Sequence, residues 1–281
     1  MAALSAASSQ LSTSFNSFAL NNLTTPLSSS ALSSAAPEPA KVALSGALDD
    51  GAPLRIALGD AQTGLLADDA VRAIVITGAG SKAFCAGADL QSAQAFTTDY
   101  SEPHGHLAQL LRVARASTIP LVARVNGACM AGGMGLMSMC DMAVAASHAV
   151  FGLPEVKVGV FPAQVLSVLQ HMIPRRKLVE MCITGEPITS AQALEYNLVN
   201  YVSDEDSDVD AKLQWLLGRL LDKSPAAIRR GMYTLKKVEA MPFEEAMSFT
   251  ESQIALFTLT NDAKEGQKAF QEKRKPVWAG D

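Results

Sequence analysis

From Val71 onward the chain alternates between two hydrophobic periods. Arg72–Thr77 (RAIVIT) is a β-branched run ended by Gly78, which predicts a buried strand. Residues 79–88 are short, rich in glycine and alanine, and loop-like. Leu107, Leu110, Leu111 and Ala114 recur at helical spacing until Pro120 stops the pattern. Leu121–Val125 (LVARV) predicts a second strand, closed by Asn126-Gly127. A helix of small residues begins near Ala131, and Met142–Ala146 (MAVAA) predicts a third strand. Strands and helices that alternate through short turns imply an α/β layered domain.

The last third is helical. Val209, Leu213, Leu216, Leu217 and Leu220 mark one amphipathic helix. Ser224-Pro225 supplies an N-cap followed by proline at the first helical position. Met241-Pro242 opens the next helix, with Phe243, Met247, Ile254 and Phe257 on one apolar face. Asn261-Asp262 is the expected cap of a final helix reaching about Arg274. Amphipathic helices placed after an α/β core suggest a lid or an assembly surface.

Residues 1–37 carry no charged side chain and are dominated by Ser, Ala, Leu, Thr and Asn. Too few large apolar groups are present to offset the entropy of ordering, so residues 1–45 are expected to be a disordered, low-complexity arm. The arm is Ser-rich and acid-poor, yet without Arg it resembles an organellar leader only weakly, and a cytoplasmic protein is expected. A core over 46–205 and a helical region over 206–281 complete the expected organisation. LRIAL (54–58) reads as a strand and TGLLADD (63–69) as the end of a helix.

Composition narrows the class. Hydrophobic residues make up 48% of the 281 and charged residues 18%, below the usual quarter, which favours a large core and subunit contacts. The net charge of −5 is opposite in sign to the balance of a nucleic-acid reader. No apolar run reaches bilayer length, so no membrane crossing is expected. Cys85, Cys129, Cys140 and Cys182 form no C-x-x-C pair and sit among apolar neighbours, which points to reduced, buried thiols rather than zinc ligation. No metal site is expected. His104 and His106 (H-G-H), His148 and His171 are isolated and carry no ligand spacing.

Two Gly/Ala loops each follow an expected strand: Gly78–Asp89 (GAGSKAFCAGAD) and Asn126–Gly135 (NGACMAGGMG). Small residues let backbone N–H groups approach a ligand oxygen, and a loop that feeds a helix start leaves amide donors without intrahelical partners. Two such loops face to face would make an oxyanion hole. Tight turns and close helix packing explain the same glycines equally well. Neither loop has phosphate-loop or dinucleotide-loop spacing.

KAFCAGADL (82–90), VNGACMAGGMGL (125–136), FGLPEVKVGVFP (151–162), ITGEPITSAQALEYNLVN (183–200) and EKRKPVW (272–278) occur in this order. Together they resemble the enoyl-CoA hydratase/isomerase, or crotonase, family over about residues 70–281. The resemblance implies a crotonase-like spiral of ββα units and a C-terminal helical trimerisation region, giving a homotrimer or a dimer of trimers. It implies an acyl-CoA thioester as substrate, with coenzyme A part of that substrate and no separate cofactor. Carried over by motif, the amides of Ala88 and Gly132 would hold the thioester oxygen, and Glu155 in GLPEV would be the acid–base residue. Ala86, Gly87, Leu90, Gly133 and Gly135 would line the substrate path. Lys273, Arg274 and Lys275 would be within reach of CoA phosphates, and a solvated helix end explains them as well. The apolar neighbours Leu153, Val156 and Val158 would raise the pKa of Glu155.

The departures are as informative. Typical hydratases carry a second glutamate where this chain has Gly135. Asp89 is not expected to replace it. The PAQV at 162–165 and the closing KRKPVWA resemble glutaconyl-type hydratases, including isohexenylglutaconyl-CoA and methylglutaconyl-CoA hydratases. The expected reaction is hydration of a 2-enoyl-CoA through an enolate. The alternatives are a Δ3-Δ2 enoyl-CoA isomerase using one glutamate and a non-catalytic CoA-binding scaffold. A distal substrate carboxylate would be met by Arg175, Arg176 or Gln164. Residues 42–70 lack the N-R-P-like turn that usually opens the fold.

Overall fold

The computed structural model describes residues 41–45, 71–78, 80, 82–88, 90, 104–204 and 209–281. The strands divide between two sheets. β1 (Lys41–Ser45), β2 (Val71–Thr77), β4 (Leu121–Val125), β6 (Met142–Ala145) and β9 (Tyr201–Val202) pair in that order, all parallel. β3 (Ala83–Cys85), β5 (Ala128–Met130) and β7 (Val150–Gly152) run parallel in the second sheet, and β8 (Ile188–Thr189) closes it antiparallel to β7.

The first sheet is covered on both faces, which is why its strands read as unbroken apolar runs. Ile74, Ile76, Leu121, Ala123 and Val125 face the core shared with the second sheet. Their period-2 alternates Ala73, Val75, Val122 and Val144 face the other way. There they pack on α6 (Val209–Leu221) through Val209, Leu213, Leu216, Leu217 and Leu220, the stripe expected from the spacing.

The chain gives one strand to each sheet and then a helix, a ββα pass that repeats as a spiral. Within it lie α1 (His106–Ala116), α2 (Gly132–Ser138), a 3-10 helix (Pro154–Val158), α3 (Leu166–Leu169), α4 (Arg175–Thr184) and α5 (Ser190–Glu195). The α/β spiral expected from the motifs is therefore the observed architecture. Its C-terminal helices are α6, α7 (Pro225–Val238), α8 (Phe243–Thr258) and α9 (Asn261–Gln271). Lys236 of α7 anchors them to the spiral by pairing with Asp141 at 2.9 Å and donating to the carbonyls of Ala114 and Ser117.

Three expectations shift. β1 falls inside the stretch assigned to the arm, so the sheet begins at Lys41. The last helix is capped by Thr260, whose hydroxyl accepts from Ala263 N at 3.1 Å, and it ends at Gln271 rather than near Arg274. Asp262 is instead buried, where it accepts from Ser224 Oγ and from the amides of Ala226, Ala279 and Gly280, tying the C-terminal tail to α7. The LRIAL strand and the TGLLADD helix end lie outside the described residues.

Candidate active site

β3, β5 and β7 lie side by side and parallel, so their carboxyl ends share one edge of the second sheet. Crevices beyond the carboxyl ends of parallel strands are where α/β sheets bind ligands. The segments leaving that edge hold Ala86–Ala88 after β3, Ala131 and Gly132 after β5, and Leu153–Glu155 after β7.

Ala131 joins the three. Gly87 has φ +98°, and a Cβ there would sit 3.0 Å from the Ala131 Cβ, so the first two loops touch. Ala131 N donates to Gly152 O at 2.9 Å, which ties the second loop to the third strand. Ala131 itself has φ 52°, a conformation few non-glycine residues adopt, and strain of this kind concentrates at functional sites. Ala86 and Ala88 are exposed beside buried Gly87, and Leu90 is 54% exposed. Gly132 is the first residue of α2, where an amide has no preceding carbonyl in the helix to accept it.

Asn126 fixes the strand ends from below. Its Oδ1 accepts from Gly78 N at 2.9 Å, and its Nδ2 donates to the carbonyls of Gly78, Gly80 and Ala83. The sequence marks this residue only as half of an Asn-Gly turn. Its set of backbone partners is visible only once the strands are paired.

Glu155 stands in the first turn of the 3-10 helix, after Pro154. Its Oε2 is buried and has no hydrogen-bond partner among the described residues. Burial raises its pKa above the ordinary glutamate value, and its own backbone N–H acts in the opposite direction. Of the expected apolar neighbours, Leu153 is fully buried, whereas Val158 is exposed. The 3-10 helix packs on α4, whose Cys182 thiol is pushed up by burial and then by the Glu155 charge.

Gly133 and Gly135 are buried in α2. A Cβ on Gly135 would lie 2.8 Å from Val165 Cγ1 and 3.7 Å from Leu107 Cδ1, and one on Gly132 would lie 3.7 Å from Leu107 Cδ2. Leu107 and Val165 thus form an apolar wall where a side chain at 135 would project. Each stands in a segment the sequence marks, but nothing in the sequence pairs the two, because they come from separate parts of the chain. Overpacking this site is expected to be costly. Gly135→Glu should destabilise the protein by about 1–3 kcal/mol, read as a lower Tm, and Val165→Ala in the same chain should restore most of the loss. An unchanged Tm for Gly135→Glu alone would show that the wall yields freely.

The other candidates are exposed, buried or already engaged. Arg175 and Arg176 open α4 and are exposed. Gln164 Nε2 reaches the backbone at Gly105, ahead of α1. Arg274 forms a bidentate pair with Glu265 at 2.5 and 2.9 Å and also bonds Glu272, so its guanidinium is committed within the tail. His148 Nε2 lies 3.2 Å from Asn126 O. All four cysteines are buried free thiols. Asp89 lies outside the described residues.

The chain and its fold have counterparts among known proteins. Residues 53–281 match the family model described as enoyl-CoA hydratase/isomerase. The chain is 33% identical to a crotonyl-CoA hydratase of Syntrophomonas wolfei, over 77% of this chain and 84% of that one. It is 35% identical to a mevalonyl-coenzyme A hydratase of Beauveria bassiana, over 75% and 80%. The crystal structure of an enoyl-CoA hydratase from Mycobacterium smegmatis superposes with a TM-score of 0.74 at 31% identity, covering 80% of this chain and 88% of that one. On the matched length, the shared spiral and these identities, the chain belongs to the enoyl-CoA hydratase/isomerase family of acyl-CoA-processing enzymes.

Proposed function

We propose that the chain hydrates a 2-enoyl-CoA, with Glu155 as the only acid–base residue and the amides of Ala88 and Gly132 as the oxyanion donors. The observation that carries this is the convergence of three loops at one sheet edge, one of them bearing a buried carboxylate oxygen without a partner. Glu155 takes a proton from water as the water oxygen bonds to C3. The C2–C3 π pair shifts to C1–C2 as the carbonyl π pair moves onto the thioester oxygen, where fixed amide dipoles meet charge that exists only along the reaction path. Glu155 then returns the proton to C2 as the carbonyl re-forms, giving a 3-hydroxyacyl-CoA. Ala86, Gly87 and Leu90 lie along the path of the pantetheine and adenine, and Gly133 and Gly135 let α2 approach the acyl group. Coenzyme A arrives as part of the substrate, and these steps call on no further cofactor. A branched or glutaconyl-type acyl group fits the PAQV and KRKPVWA segments, with Arg175 or Arg176 as partner for a distal carboxylate.

The Leu107–Val165 wall favours a second reading. With no carboxylate at 135 to help hold water, Glu155 would instead carry a proton from C2 to C4 of a 3-enoyl-CoA. A screen separates the two. Hydration removes the absorbance of the conjugated enoyl thioester and incorporates solvent oxygen. Isomerisation creates that absorbance and incorporates none. Turnover of 2-enoyl-CoA or 3-methylglutaconyl-CoA is expected; turnover of 3-enoyl-CoA alone would establish the isomerase, and silence with all of them alongside CoA binding would leave the scaffold. The exposed apolar side chains of Phe243, Met247, Ile254 and Leu259 on and after α8 suit contact with further copies in a homotrimer or dimer of trimers, and a monomeric mass by light scattering of the same preparation would exclude that assembly.

A further inference from the structure

Cys85 ends β3 immediately before the Ala86–Ala88 loop, and its side chain is buried. The Gly87 N–H acts on its sulfur as a donor and opposes the rise that burial gives the thiol. On its other side the first turn of α2 rests against it: a Cβ on Gly133 would fall 2.5 Å from Cys85 O, 2.8 Å from its Cβ and 2.9 Å from its Sγ. Cys85 is thus in contact with the residue before Ala88 and with the residue after Gly132. Gly87 in turn meets Ala131, closing a ring of contacts around the two loops.

We propose that Cys85 is a positioning residue whose sulfur, wedged between the Gly87 amide and the first turn of α2, sets the spacing of the Ala88 and Gly132 amides. The proposal rests on the reading that those two amides hold the thioester oxygen. A small, polarisable acceptor suits the task. It satisfies an amide inside the loop, and it is slim enough to let the helix backbone close on it. The thiol is not itself a reacting group: burial pushes it up to about 12, with the Gly87 N–H working against that rise, so no thiolate is available at neutral pH. Donors act strongly only when already placed for the developing oxyanion, so a displacement well short of breaking the fold reduces turnover.

The test uses Cys85→Ala, which removes the sulfur, Cys85→Val, which replaces the acceptor by a bulkier apolar branch, and Cys85→Ser, which keeps an acceptor. The spectroscopic probe is a chromophoric cinnamoyl-CoA thioester, whose absorbance moves to longer wavelength when amides polarise its carbonyl. The alanine and valine variants are expected to lose most of the red shift and about tenfold in kcat on the substrate turned over, with KM changed far less. Serine is expected to restore most of both. If alanine does not fold, valine against serine carries the comparison. A wild-type protein that binds the probe with no red shift overturns the oxyanion reading itself. A wild-type shift that the alanine or valine variant retains, with kcat per folded molecule unchanged, shows that Cys85 only packs and overturns this proposal alone.

Discussion

Replacing Glu155 by glutamine is expected to lower kcat by about a hundred- to ten-thousand-fold, the range that a positioned general base supplies. The amide has nearly the shape of the carboxylate, so substrate should still bind and KM should change little. Stability should move the other way. The native fold holds the Glu155 proton more tightly than the unfolded chain does, because burial raises its pKa. Stability associated with this group is therefore greatest at low pH and is lost as pH rises through the folded pKa, where a charge must be kept in a desolvated place. Glutamine has no such charge. The variant should melt at or above the wild-type temperature at neutral pH, and the gap should close below the unfolded glutamate value. In the wild type the acid limb of kcat/KM should fall above the ordinary 4.5, because the free enzyme must ionise Glu155 before it accepts a proton. Stopped-flow rates across pH and melting curves at pH 4 and pH 7 read both effects. Retained turnover in Glu155→Gln would remove Glu155 from the chemistry.

Much of this arrangement was legible in the chain, and the parts that were not share a cause. β2, β4 and β6 announce themselves as apolar runs and α6 by its helical period. The second sheet does not, since strands as short as Ala83–Cys85 and Ala128–Met130 carry no period of their own. They become strands because Asn126 and the parallel neighbours satisfy their backbone. The glycine loops were visible as loops, but the wall of Leu107 and Val165 over Gly135 is a contact across distant segments. The spacing of Phe243, Met247, Ile254 and Phe257 puts them on one face of α8. Periodicity says which residues share a side of a helix, not what covers them, and in the single chain Phe243 and Ile254 face solvent. The cap at Asn261-Asp262 failed for a related reason. Asp262 has the chemistry of a cap, yet the tail at Ala279 and Gly280 takes its carboxylate, and Thr260 does the capping.

Deleting the Gly132 N–H should be nearly as damaging as losing Glu155, and by a different route. Nonsense suppression with glycolic acid places an ester between residues 131 and 132, which removes the proton donor and adds no side chain. Turnover is expected to fall about a hundred- to a thousand-fold, as for loss of one oxyanion donor elsewhere. The loss should appear in kcat with little change in KM, because the oxygen carries its full charge only in the enolate and the transition states leading to it. Stability should fall only modestly: the first amide of α2 has no intrahelical partner to lose, and the cost is the weaker ester carbonyl of Ala131, which accepts from Met134 N at 2.9 Å. Gly132→Ala is the matching control. A Cβ at 132 comes no closer than 3.7 Å to Leu107 and the N–H remains, so activity should stay close to wild type unless the methyl enters the space of the acyl group. The two variants together separate the donor from the volume. An ester that turns over substrate at the wild-type rate would move the oxyanion site away from α2. An ester that is inactive yet folded, beside an active alanine variant, would tie the thioester oxygen to this single amide, because the ester's other change, a weaker Ala131 carbonyl for Met134 N, acts on the helix and would show in its stability. Partial loss in the alanine variant would mean that its methyl crowds the acyl group against Leu107, and widening that contact with Leu107→Ala should then restore the alanine variant and leave the ester unchanged.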